Sequence, residues 1–192
     1  MATHVDVASP SSWVQRWAHL VAPGRTMLDV ACGAGRHTKL FADKGCTVTA
    51  LDMSEEALQK LAVHSPHART VQADIENAPW PLMQKGAPET FDAIVVTNYL
   101  HRPLMPLLLA SLAGGGVLIY ETFAVGNERF GKPSNPDFLL QSGELLSLCS
   151  DMHIVAYEEG FLTSPDRLVQ RMVAIQRTTK MQGSSIYSLS SS

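Results

Sequence analysis

Two glycines one residue apart, Gly33 and Gly35, close a short apolar run, and the carboxylate of Asp52 follows that of Asp29 by 23 positions. Without Cβ atoms, such glycines let a strand turn sharply into a helix and let a ligand approach main-chain N–H groups. A carboxylate ending the next strand can accept hydrogen bonds from both hydroxyls of a ribose. Taken singly, each feature has an ordinary explanation: a tight strand-to-helix turn for the glycines, a helix N-terminal charge beside Ser54 for Asp52. Together they predict a site for a nucleoside-bearing ligand. A dinucleotide is disfavoured, because that fingerprint requires a small residue three places after its second glycine, whereas Arg36, His37 and Thr38 follow Gly35. Asp29, inside the strand before the loop, suits a cationic or amine-bearing ligand better than a phosphate.

A second set of reactive side chains follows later apolar runs. His101 could accept a proton and Arg102 could bind an anion; Glu121 lies near the end of a further run. No metal site is predicted: His64 and His67 are separated by Ser65-Pro66, which breaks helical facing, and the other histidines are scattered. Cys32 lies in the glycine loop and Cys46 begins a strand, so no nucleophilic triad is predicted either.

The elements that must position these groups alternate in type. Ser11 and Ser12 precede an amphipathic helix within 11–22, in which Trp13, Trp17 and Leu20 recur at helical spacing. Strands are expected at 26–31, 46–51, 69–72, 91–96 and 116–122, and helices at 36–44, 54–63 and 104–112. This alternation predicts an α/β fold with a doubly wound, Rossmann-like, mainly parallel sheet. The Val-, Ile- and Tyr-rich segments 153–158 and 168–176 are expected to add an antiparallel pair at one edge. Residues 124–141, with Gly126, Gly131, Pro133 and Pro136, read as a long loop suited to cover a substrate. The reading is one domain over 1–178 and a Ser-rich, disordered tail over 179–192.

The run Leu28-Asp29-Val30-Ala31-Cys32-Gly33-Ala34-Gly35 resembles motif I of the class I S-adenosylmethionine-dependent methyltransferases, with Ala31 where the first glycine usually stands. Leu51-Asp52 is similar to the ribose-binding acidic motif of that family, Gln72-Ala73-Asp74-Ile75-Glu76 to its adenine segment, and 91–98 to its motif IV. The resemblance spans residues 26–176 and implies S-adenosylmethionine as cofactor and S-adenosylhomocysteine as product. It further implies that Asp29, Gly33 and Gly35 surround the methionine moiety, Asp52 holds the ribose, Asp74 and Ile75 face adenine, and Asn98 lies under the methionine end; Ala31 and Met53 complete the expected contacts. Arg36 and His37 face either the cofactor carboxylate or solvent.

His-Arg-Pro at 101–103 and Glu-Thr-Phe at 121–123, followed by Phe-Gly-Lys-Pro at 130–133, resemble small bacterial methyltransferases of the tellurite-resistance type. That resemblance implies a small-molecule or oxyanion acceptor. A thiolate or soft anion needs no base, whereas an amine or hydroxyl needs a proton removed, for which His101 is the first choice and Glu121 the second. Two alternatives stay open: an RNA or protein methyltransferase, and a cofactor-binding module without turnover.

Composition narrows these classes. In 192 residues, 45% are hydrophobic and 17% charged, a profile that supports a core and argues against disorder. A net charge of −3 lacks the basic surplus of proteins that bind by neutralising phosphates, so nucleic acid is disfavoured as a partner. Three dispersed cysteines, no basic apolar leader in 1–10 and no membrane-length apolar run place the expected protein in the cytoplasm.

Overall fold

The Val- and Ile-rich runs form strands buried on both faces, as a sheet covered by helices on either side requires. The structure is a computed structural model and describes residues 8–178 and 187–189. Strand β1 (Thr26–Val30), α2 (Arg36–Asp43), β2 (Thr47–Asp52), α3 (Glu55–His64) and β3 (Arg69–Gln72) follow the initial helix α1 (Ser12–Trp17). A two-residue-strand hairpin comes next, β4 (Met83–Gln84) with β5 (Ala87–Pro88), which the sequence pattern does not announce. The chain continues through β6 (Phe91–Thr97), α4 (Met105–Ala110), β7 (Leu112–Phe123), α5 (Glu144–Leu148), β8 (His153–Leu162) and β9 (Arg167–Ile175).

The seven-stranded sheet has the order β3-β2-β1-β6-β7-β9-β8. Its first five strands are parallel, while β9 pairs antiparallel with both β7 and β8. The expected Rossmann-like sheet with an antiparallel edge is therefore present. Strand order reverses between β1 and β6, where an open α/β sheet presents a crevice beyond its carboxyl ends. Strand β7 begins at Leu112, earlier than the expected 116, because Leu112 pairs with Phe91 across a register shift. The preceding helix is correspondingly short.

Alternation along the strands divides the core. Leu28, Val30, Ile94, Val96, Leu118 and Tyr120 face α4 and α5, whereas Met27, Ala93, Val95 and Ile119 face α1 and α2. Helix α1 starts where expected: the Ser11 side chain accepts a hydrogen bond from Trp13 N–H at 3.1 Å. Its Trp13 and Trp17 are fully buried and meet edge to face at 5.6 Å. The Asp92 carboxylate accepts from both Thr26 N–H and Thr26 Oγ1, which fastens the start of β6 to the start of β1. Of the Ser-rich tail, only 187–189 are described; Tyr187 packs on the α1 side of the core and lies 5.3 Å from the His153 ring. The rest of the tail lies outside the described residues. Among the described residues no helix is long and apolar enough to cross a membrane.

Burial of the two indoles attaches α1 to the sheet. Replacing Trp17 by Ala should lower the unfolding free energy by about 3–5 kcal/mol in urea titrations. A loss under ~1 kcal/mol would show that α1 is not part of the cooperative core.

Candidate functional site

The loop after β1 carries three left-handed residues: Ala31 at φ 51°, Gly33 at 54° and Gly35 at 81°. A Cβ on Gly35 would stand 2.5 Å from the Leu61 side chain, so close packing of α3 as well as backbone conformation requires glycine there. Gly33 is the opposite case, since a Cβ there would meet nothing within 4 Å. Its main chain borders open space. Asp52 holds this loop in shape: one carboxylate oxygen accepts from Gly33 N–H at 2.7 Å and the other from Ser54 N–H at 2.8 Å. Each oxygen retains a lone pair for a further donor. Met53, beside it, is 67% exposed and supplies an apolar surface at the same edge.

Asp29 sits behind the loop rather than in the open crevice. It is buried, accepts a hydrogen bond from Thr38 Oγ1 at 2.7 Å, and burial raises its pKa to about 7 despite that bond. Any effect on a ligand from this position passes through the loop. His37 is also buried and points inward, not to solvent: its Nε2 accepts from Ser11 N–H at 3.1 Å, and its Nδ1 lies 3.4 Å from Thr97 Oγ1. Acceptance at Nε2 puts the proton on Nδ1, which donates to the threonine. Burial, with the neighbouring Arg36 charge, lowers the His37 pKa to about 3, so the ring is neutral.

On the far side of the crevice, the Asp74 carboxylate is occupied by its own turn, accepting from Glu76 N–H, Asn77 N–H and Asn77 Nδ2. These bonds, Asn77 first, lower its pKa, and nearby His101 acts in the same direction. Ile75 packs partly buried against the core. Asn98 takes a left-handed φ of 55° and donates its N–H to the Glu121 carbonyl at 2.9 Å, an arrangement that turns the chain out of β6. A cleft of about 210 Å³ opens here, lined by Glu76, Asn98, Tyr99, Thr122, Phe123 and Phe138 among others. Burial of the Tyr99 hydroxyl, with the adjacent Glu76 carboxylate, raises its pKa.

Two residues expected at the reacting end are elsewhere. Arg102 is committed to structure: Nε and one terminal nitrogen bind the two Glu144 oxygens at 2.7 and 2.9 Å, and the guanidinium also donates to the Asp137 and Leu139 carbonyls. It fastens the 124–141 loop instead of presenting a free anion site. Glu121 is completely buried on the α1 face, accepting from Ser11 Oγ at 3.0 Å, so it cannot take a proton from a ligand in the cleft. The loop is closed at its base by Leu140 N–H to Phe123 O and Val125 N–H to Leu140 O, and buried Asn127 bridges Leu168 N–H and the Pro133 carbonyl. Sequence reasoning missed Arg167, Arg171, Tyr99 and Glu144. Arg167 and Arg171 carried a signal, since two cations four apart in an apolar strand share one face.

Comparison with known proteins agrees with this geometry. Residues 27–113 match a family described as methyltransferase domain. Trans-aconitate 2-methyltransferase of Delftia acidovorans is 38% identical over 103 residues, covering 51% of this chain and 38% of that protein. The tRNA U34 carboxymethyltransferase of Shewanella loihica is 29% identical over 162 residues, covering 71% and 46% respectively. The chain spans less than half the length of these curated relatives. Among solved structures, TehB from Haemophilus influenzae superposes with a TM-score of 0.73 at 22% identity, covering 91% of this chain and 64% of that one.

Two consequences of the geometry can be measured. In the fold Asp29 stays protonated to about pH 7, against 3.8 for an ordinary carboxyl, so its burial costs stability increasingly as pH rises between those values. The stability of Asp29→Asn relative to wild type should therefore rise by about 4 kcal/mol from pH 4 to pH 8; a flat difference would mean the native carboxyl ionises normally. Arg102→Ala should accelerate amide hydrogen exchange within 124–141 without changing the exchange of β1 and β2. Unaltered exchange in the loop would show that the Glu144 pairing does not secure it.

Proposed function

On the premise that this chain carries a methyltransferase domain on the class I methyltransferase fold, we propose that it is an S-adenosylmethionine-dependent methyltransferase acting on a small-molecule acceptor. The observation that carries the reading is the Asp52 carboxylate, held by two backbone N–H groups under a left-handed loop whose Gly33 faces open space. Asp52 offers its remaining lone pairs to ribose hydroxyls, and the Gly33 main chain offers close approach without a side chain in the way. Met53 and Ile75 supply apolar surface on the adenine side, while Asp74 keeps the 74–77 turn in shape. When bound, the sulfonium supplies a methyl group already activated for in-line displacement.

The protein's own contribution is then alignment and exclusion of water. The cleft between Asn98, Tyr99 and Phe138, about 210 Å³, offers a compact acceptor a place against aromatic walls. His101, which follows β6 and acts electrostatically on Asp74, is our choice for a residue to accept a proton from an amine or hydroxyl acceptor, since Glu121 is buried. A small acceptor is also the activity named for the Delftia acidovorans relative. An RNA acceptor is the second reading, supported by the longer match to the tRNA-modifying relative.

Calorimetry with S-adenosylhomocysteine should give saturable binding, and Asp52→Ala should weaken it at least tenfold, as loss of charge-assisted hydrogen bonds of ~1.5–3 kcal/mol requires. Failure of the native protein to bind would remove the proposal. With labelled methyl donor, transfer to small thiols, acids or amines but not to bulk tRNA supports the small-acceptor reading; the reverse pattern selects RNA.

A further inference from the structure

Register across the sheet places Thr97, Glu121, Arg171 and Glu158 in one row on the α1 face. Arg167, four residues before Arg171 on β9, extends the same face past the end of β7. Glu121 is the centre of this group. Arg167 and Arg171 each approach one of its oxygens at 3.6 Å, too far for a hydrogen bond, and the short partner is Ser11 Oγ at 3.0 Å. Within this group two buried atoms, Glu121 Oε2 and Arg167 Nε, have no hydrogen-bond partner among the described residues. Leaving a buried guanidinium donor unmade is costly, and native structures seldom do so without a use for it.

Arg36 completes the group from the first turn of α2. It is half-buried and feels both the attraction of Glu121 and the repulsion of Arg167, and among the described residues no carboxylate stands within 4 Å of it. Glu158 is spent on Arg16 and Arg171. Four arginines, Arg16, Arg36, Arg167 and Arg171, thus face Glu121 and Glu158, with Asp29 also acting on Arg36, a surplus of at least one positive charge in a partly dry setting. Such a surplus is a standing attraction for an anion.

Position indicates which anion. The ribose carboxylate Asp52 ends β2, and the glycine loop follows β1. Arg167 is on β9, three strands from β1 in the order β1-β6-β7-β9, a separation of roughly 14 Å at ~4.8 Å per strand. A group held there lies on the opposite side of the switch point from the ribose. We propose that Arg36 and Arg167 form a carboxylate-binding subsite that takes the acidic end of the methyl acceptor. Glu121 holds Arg167 in place without neutralising the set, and Ser11 ties Glu121 to α1. This rests on the cofactor reading above. A carboxylate in this place could also be the cofactor's own, and the test separates the two.

The protein is first saturated with S-adenosylhomocysteine, then titrated calorimetrically with acetate, glutarate, citrate and benzoate, with glutaramide as the uncharged control. Binding of at least one acid but not of glutaramide, weakened tenfold or more by Arg167→Gln and by Arg36→Gln, is the expected result. Arg167→Gln should leave S-adenosylhomocysteine affinity within twofold, and Arg167→Lys should restore part of the acid binding, which a merely unfolded variant would not. If the saturated protein binds none of the acids, the subsite is refuted while the cofactor reading stands. Acid binding only in the absence of S-adenosylhomocysteine assigns the arginines to the cofactor carboxylate and overturns the proposal. Absence of S-adenosylhomocysteine binding itself would overturn both.

Discussion

One carboxylate joins the two parts of the crevice that have to stay in register. Asp52 accepts from Gly33 N–H on the loop after β1 and from Ser54 N–H at the start of α3. The loop contains Ala31, a non-glycine residue in a left-handed conformation, at a cost of roughly 1 kcal/mol or more. Charge-assisted bonds at 2.7 and 2.8 Å offset that cost and fix the orientation of the Gly33 main chain. Gly35, pressed against Leu61, prevents the loop from moving toward α3. The open side of the crevice is therefore defined by the same contacts that define its floor.

The polar groups around this floor are mostly fastened to protein. Arg102 closes onto Glu144 and two loop carbonyls, Asp74 onto its own turn, His37 onto Ser11 and Thr97. The Arg102 and His37 bonds join segments 26 to 60 residues apart in the chain, so the rim acts as a rigid frame. A reaction that needs alignment more than proton transfer is served by such a frame. The Arg167 Nε differs from these groups, a buried donor with no partner among the described residues.

How much of this was readable in the sequence depended on range. The glycine loop, Asp52 and the strand–helix alternation are local signals, and the seven-stranded sheet follows from them with small shifts such as the early start of β7. The roles of Arg102 and Glu121 were not readable, because their partners lie 42 and 110 residues away. Glu121 was expected at a rim from its place near the end of a strand. Strand alternation instead turned it toward α1, which covers it completely. Glu144 could not be recognised as a partner until the loop between it and β7 had folded back.

The same burial that hid these residues from the sequence determines the electrostatics of the crevice. Asp29 influences Arg36, and if ionised it would offset part of the arginine surplus. Burial holds it protonated up to about pH 7, and burial holds His37 neutral as well. Glu121 is within 4 Å of two guanidiniums but makes no hydrogen bond to either, and Glu158 lies nearer solvent on Arg16 and Arg171. Positive charge consequently persists on the α1 side of the sheet around Arg167 and Arg171, while the cleft under Phe123 and Phe138 is largely apolar and aromatic. A chain with a net charge of −3 thus carries both a cationic cluster and a largely apolar cleft. Under the carboxylate subsite proposed above, a ligand with a compact anionic group and an apolar remainder suits these two features better than a uniformly charged polymer.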